Sequence, residues 1–225
     1  VLPNELKFKF LLGNYFIIYK PKSIVSGDFY WLYQTGDTIF MAVVDCTGHG
    51  VPGALTAMIG ATLLDKIVGL RKVHAPAQIL EQLHHEVEAS FDGKQIESYY
   101  GMGLSLVRIE KNYSKNETKV IFAAAKRPLY YILPNTSTLV EIKGTRRMIG
   151  GGKTSIKRDF VEQEFIFPKG TLIYMGTDGF ADQADKQGNR LGTQKLKQLL
   201  SQVADLSAQN QAIVLEQKFQ SYTKD

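Results

Sequence analysis

The chain has a single cysteine, Cys46, among its 225 residues. That excludes an intrachain disulfide framework and fits a reducing, cytoplasmic setting. No stretch approaches the roughly 18 consecutive apolar residues of a membrane-spanning helix, so no direct membrane span is expected. The opening VLPNELKFKF also lacks the charged-then-apolar layout of a signal peptide. Neither sign of charge dominates: 27 Lys and Arg stand against 22 Asp and Glu, for a net +5, and the basic residues are scattered. Without a concentrated basic groove, nucleic acid is not an expected partner and a magnesium-dependent nuclease ranks low, whereas an anionic protein partner stays open. Internal repeats and long Pro/Gly/Ser linkers are missing too, so one domain over residues 1–225 is expected. Because the chain begins at Val1, it reads as a piece of a longer protein.

What is present is an ordinary globular composition, 44% hydrophobic and 22% charged, with clear periodicities. Residues 15–20, 28–34 and 38–44 are rich in β-branched and aromatic side chains and read as strands, with Thr35-Gly36-Asp37 as a hairpin turn. Residues 52–70 have Leu55, Ile59, Leu63 and Ile67 at helical spacing behind Pro52, and predict a buried helix. A second helix over about 76–90 carries the stripe Ile79, Leu80, Leu83 and Val87. Strands follow at 102–109, 118–125, 128–133, 137–142, 159–167 and 171–176, then two amphipathic helices at about 193–204 and 207–221. This order predicts an α+β fold: a β-sandwich of two mainly antiparallel sheets flanked by helices, in α-β-β-α layers.

The hairpin has a chemical consequence. With Gly36 and Asp37 as its two central residues, facing residues have a constant number sum, and Asp28 falls opposite Asp45. Directly opposed carboxylates on one face, with Cβ atoms about 4.5–5.5 Å apart, repel unless a cation neutralises them. A one-residue slip would place them on opposite faces. Asp178 follows the strand around Thr171–Met175 at another strand end. A carboxylate set without a His/Cys cluster suits Mg²⁺ or Mn²⁺ better than zinc.

Four segments, SGDFYW (26–31), AVVDCTGHGVPGALTAM (42–58), FAAAKRPLYYI (122–132) and YMGTDGFADQ (174–183), occur in an order that resembles the metal-dependent protein phosphatases. The resemblance is to the bacterial branch typified by the stage II sporulation phosphatase E and the regulators of sigma-factor B, and runs from about Leu2 to Lys218. It implies a hydrolase with two divalent cations, Mn²⁺ or Mg²⁺. Asp28 would bind one, Asp45 would bridge both, the backbone carbonyl of Cys46 would add an oxygen, and Asp178 would hold the other. Asp28, Asp45 and Asp178 would thereby carry catalysis. A metal-bridged water would attack the phosphorus of a phosphoserine or phosphothreonine on a partner protein. The branch further implies an anti-sigma-factor antagonist as that partner and attached sensory domains; the expected location is cytoplasmic, with membrane anchoring of the parent protein left open.

The chain departs from the family pattern in two places. A final strand with a paired Asp-Asp has no counterpart before Asp225, so the chain is expected to lack the last strand and one metal ligand. Gly103 stands where many relatives have an aspartate. The missing terminal aspartate is the main support for an alternative, a catalytically weak phosphatase-fold binding or regulatory module. His49, with a glycine on either side, is a candidate proton donor to the leaving group, but in animal relatives the acid histidine lies two places after the bridging aspartate, where this chain has Thr47, so a structural role is favoured for it. Gly48, Gly50 and Gly53 read as tight-turn glycines rather than a phosphate cradle, since no Gly-Lys-Ser/Thr follows. Lys126 and Arg127 read as phosphate contacts or as a solvated strand junction. His84 and His85 read as helix-flank residues, and Asp182 as a helix start.

Overall fold

The computed structural model describes residues 2–3, 5–48, 50–91, 100–111, 114, 116–151 and 159–223. The first half runs α1 (Glu5–Leu12), β1 (Phe29–Thr35), β2 (Thr38–Cys46), α2 (Gly50–Leu64), a π-helical turn (Asp65–Leu70), α3 (Pro76–Phe91) and β3 (Gly101–Glu110). The second half runs β4 (Glu117–Ala125), β5 (Leu129–Ile132), β6 (Leu139–Ile142), β7 (Ile149–Gly150), β8 (Glu162–Pro168), β9 (Leu172–Met175), α4 (Thr193–Val203) and α5 (Ala208–Thr223).

The β1–β2 hairpin has the predicted register. Thr35 faces Thr38, Phe29 faces Val44, and Gly36 takes a φ of 55°, which glycine adopts without steric penalty at the first central position of a two-residue turn. The larger sheet has the order β1-β2-β3-β4-β8, with β7 beside the start of β3, and the smaller has the order β6-β5-β9. All of these pairings are antiparallel.

Strand alternation assigns each face of the larger sheet a partner. Phe40, Ala42 and Val44 of β2, with Leu104 and Leu106 of β3, pack on α2 and α3. Val107, Val120, Phe122 and Ala124 point the other way and meet Leu129 and Ile142 of the smaller sheet. The outer face of that sheet, with Tyr130, Ile132 and Tyr174, packs on Leu199, Leu200 and Val203 of α4 and Leu215 of α5. The four layers are therefore α-β-β-α. Phe8 and Leu11 of α1 cover Leu32 and Ile39 where the smaller sheet does not reach.

Several local expectations need correction. Residues 15–20 carry a strand pattern but join neither ladder, and 159–161 precede β8 instead of belonging to it. α1 and the two-residue β7 have too little periodicity to be read from sequence. In α2 the buried residues are Gly53, Thr56, Ala57, Gly60, Ala61, Leu63 and Leu64; Leu63 and Ile67 of the expected stripe are buried, while Leu55 is 55% exposed. Small residues fill part of this face because the helix lies close to β3: a Cβ on Gly60 would stand 3.0 Å from Met102 Cε. The continuous helix Gly50–Leu70 is long and apolar enough to cross a membrane by composition, but this face makes it a core helix packed on the sheet. His84 is buried, not a flank residue; its Nδ1 accepts the Gly150 N–H at 3.0 Å and its Nε2 lies 3.2 Å from Glu88.

Candidate metal and phosphate site

The hairpin register that positions the apolar side chains also aims two carboxylates. Asp45, next along β2 after Val44, points to the inter-sheet face, and Asp28, just before β1, lies opposite it and within side-chain hydrogen-bonding reach. The Asp28 backbone is pinned on both sides: its N–H donates to Ser26 Oγ at 3.0 Å, and its carbonyl accepts from the Tyr19 hydroxyl at 3.1 Å. Asp178 arrives from the other sheet, three residues beyond β9. Thr177 beside it hydrogen-bonds the Asp28 side chain. The two sheets thus bring three aspartates from distant parts of the chain to one end of their apolar seam.

Arg127 stands among them. It lies between β4 and β5, where the chain crosses from one sheet to the other, and its Nη2 donates both to Asp45 Oδ2 and, at 2.7 Å, to Asp178 Oδ2. The side chain reaches this position because β3 presents Gly103 opposite Asp45. A Cβ on Gly103 would sit 3.1 Å from Arg127 Nε and 3.3 Å from its Cγ. The Nε itself is buried with no hydrogen-bond partner among the described residues. Arg127 is therefore the site's internal cation, not a solvated junction residue. The sequence signal for it is the pairing of a glycine at position 103 with an arginine at the sheet crossing.

The electrostatics follow from one cation serving three acids. Burial pushes the Asp45 carboxyl up to about 7, against the pull of Arg127, and the neighbouring Asp28 and Asp178 push the same way. Asp28 is also raised, first by burial and, after the opposing Thr177 hydrogen bond, by Asp178. Raised carboxylates in a cleft mark a place short of positive charge. The donors suit a hard divalent ion: carboxylate oxygens with no soft ligand. Among the described residues, however, no three acidic, His or Cys side chains are gathered closely enough to hold an ion. The Arg127 guanidinium lies between Asp45 and Asp178 instead.

The Cys46 thiol is buried in the helix-side core and its ionisation is strongly suppressed, first by burial and then by Asp45 and Asp28, so only its backbone is available to a ligand. The loop after it is tight: Gly48 and Gly50 take φ of 88° and 65°, and a Cβ on Gly53 would stand 2.7 Å from the Gly48 carbonyl oxygen. This agrees with the tight-turn reading of these glycines. Thr47 ties the loop to β3, its N–H donating to the Gly101 carbonyl and its Oγ1 accepting the Gly101 N–H, each at 2.8 Å. His49 and Asp225 lie outside the described residues. Asp182 is in a turn after Asp178, not at a helix start, and pairs with Arg190 at 3.1 Å.

A cleft of about 990 Å³ opens over this cluster, lined by Asp28, Asp45 and Asp178 together with Lys126, Arg127, Lys143 and Arg146. A larger one, about 1120 Å³, shares Asp28, Arg127 and Asp178 but runs along the seam beneath residues 14–26, among side chains such as Ile17, Tyr19 and Leu172. The charges that bear on a phosphate ester converge in the smaller cleft.

A profile of the family described as Stage II sporulation protein E (SpoIIE) matches residues 35–225. The phosphoserine phosphatase RsbU of Bacillus subtilis (strain 168) is 24% identical over 172 residues, which is 75% of this chain and 46% of RsbU. The chain thus spans about half the length of that curated relative. Among solved structures, the SiaA-PP2C domain of Pseudomonas aeruginosa has a TM-score of 0.85 at 29% identity, covering 100% of this chain and 85% of that one. RsbX, solved in complex with magnesium, shares the fold with a TM-score of 0.59 at 11% identity, over 92% of this chain and 85% of its own.

Proposed function

Because the chain belongs to the SpoIIE family of PP2C-like domains, we propose that it is a bacterial phosphoprotein phosphatase domain. It hydrolyses a phosphoserine or phosphothreonine on a regulatory partner protein, in the cytoplasm, as the output of a longer signalling protein. The observation that carries this reading is the convergence of Asp28, Asp45 and Asp178 around one guanidinium at the end of the seam. Asp28, Asp45, the Cys46 carbonyl and Asp178 would hold two divalent cations, Mn²⁺ or Mg²⁺. When bound, these supply Lewis acidity toward the phosphoryl oxygens and a nucleophile at neutral pH.

The chain's own residues do the rest. Asp45 and Asp178 would give up their contacts with Arg127 to hold the ions. Arg127 then has a planar fork of donors facing the cleft that holds the carboxylates, the geometry that suits a phosphoryl group. Thr177 orients Asp28 through its hydrogen bond, which opposes the upward push of burial on that carboxyl. The seam behind the cluster is apolar, so water has access from the cleft side.

The same arginine favours a second reading, a weak or inactive phosphatase-fold module in which the internal cation takes the place of metal. Phosphate release from a phosphoserine peptide with Mn²⁺ separates the two, compared for this chain, a version extended at the C-terminus, and Asp45→Asn. Mn²⁺-dependent release by the chain or its extension, lost in Asp45→Asn, is the expected result. Equal inactivity of all three proteins would overturn the enzyme reading and favour the module.

A further inference from the structure

Around the acidic floor of the cleft runs a rim of opposite sign. Lys126, Lys143 and Arg146 are exposed at its mouth, and none of their side chains has a hydrogen bond or ion pair among the described residues. Of the other charges of the same cleft, Arg127 pairs with Asp45 and Asp178, Glu141 pairs with Lys197 at 2.9 Å, and Asp28 is hydrogen-bonded by Thr177. The next residue along, Arg147, is also committed, pairing with Glu81 at 3.2 Å and lying over the Phe160 ring.

The backbone beneath the rim is cross-linked by hydrogen bonds. The Lys126 N–H donates to the Thr145 carbonyl at 2.8 Å, and the Thr145 N–H donates to the Ala124 carbonyl at 2.9 Å. Between Lys143 and Arg146, Gly144 lies so close to β4 that a Cβ there would stand 2.6 Å from Ala124 Cβ. Lys126 is held at a φ of 62°, a left-handed conformation uncommon for a residue with a Cβ and one that persists only where the surroundings impose it. The two segments are thus clamped together, and they present three cations beside the place where a phosphoryl group would sit.

Resting on the phosphatase reading above, we propose that Lys126, Lys143 and Arg146 form a specificity rim that recognises acidic side chains flanking the phosphorylated residue of the partner. A floor of carboxylates repels such a substrate, and the rim reverses that field at the mouth of the cleft. Because the rim touches flanking residues and not the reacting phosphorus, it acts mainly on KM. Its contribution is that of exposed charges and weakens with added salt.

The test uses two phosphoserine peptides of equal length, one flanked by Glu and one by Gln. Wild type with Mn²⁺ should prefer the Glu peptide by about tenfold in kcat/KM, through KM, and the preference should shrink in high salt. In the Lys126→Asn/Lys143→Gln/Arg146→Gln variant, where Asn tolerates the left-handed backbone, the two peptides should become equivalent within about twofold. Lys143→Glu should favour an Arg-flanked peptide. Equal use of both peptides by wild type, or an unaltered preference in the triple variant, overturns the rim. Should neither wild type nor its C-terminally extended version release phosphate from either peptide, the phosphatase reading fails by itself. The rim is then decided by calorimetric binding of the same peptides, where the same ratio of affinities is required and equal affinities refute it.

Discussion

The middle and the end of the inter-sheet seam are built by the same strands in the same register, yet they do opposite things. In the middle, Val107, Val120, Phe122 and Ala124 meet Leu129 and Ile142, and every contact lowers the free energy of the fold. At the end, Asp28, Asp45 and Asp178 are driven together by the same alternation, and their repulsion and burial raise it. The difference teaches that the apolar stretch holds the acidic stretch in place, with Arg127 donating to two of its three acids.

The largest effect on activity should come from striking the acidic end. Asp45→Asn should reduce Mn²⁺-dependent phosphate release by a hundredfold or more, on the order of 3 kcal/mol of transition-state stabilisation. Its fold should nevertheless be at least as stable as wild type in chelator, as read by thermal unfolding. Striking the middle should give the reverse pattern. Phe122→Ala removes a side chain that is 1% exposed and should lower stability by about 3–5 kcal/mol, measured by urea denaturation.

The pH dependence of the metal-free chain sharpens the comparison. Asp45 has a folded value near 7, above its ordinary 3.8, so the folded state binds the proton more tightly than the unfolded state. Stability from this group is present below pH 3.8 and is lost as pH rises through 7. In chelator the chain should therefore be more stable at pH 5 than at pH 8, by on the order of 2 kcal/mol. Asp45→Asn should flatten that slope; an equal slope in the variant would place its origin elsewhere. A smaller effect is expected from Arg127→Met, which leaves the acids without their cation: a loss of about 1–2 kcal/mol in chelator that Mn²⁺ restores.

Much of this architecture is legible in the residues themselves. Gly36-Asp37 specifies the hairpin, the hairpin specifies that Asp28 opposes Asp45, and the stripe of Ile79, Leu80, Leu83 and Val87 specifies α3, all four of them buried. These are short-range inferences, in which one turn or one helical period settles the geometry. The bridging role of Arg127 is not legible in that way, because it depends on Gly103 in a neighbouring strand and on Asp178 in the other sheet. Leu55 misleads for a related reason: Leu63 and Ile67 of the same stripe are buried, but near Met102 the packed face is made by small residues such as Gly60. Residues 15–20 have strand chemistry without a ladder, since pairing is decided by neighbours and not by propensity. The roles assigned to Asp28, Asp45, Cys46 and Asp178 toward metal rest on resemblance and donor chemistry together.

The central claim is that the acidic end of the seam is a divalent-cation site for which Arg127 is the placeholder. The most direct measurement is thermal unfolding of the chain with and without Mn²⁺, in wild type, Asp45→Asn and Arg127→Met. Mn²⁺ should raise the Tm of wild type, raise that of Arg127→Met further and at lower concentration, and leave Asp45→Asn unmoved. A wild-type Tm indifferent to Mn²⁺, or an equal shift in Asp45→Asn, would contradict the claim.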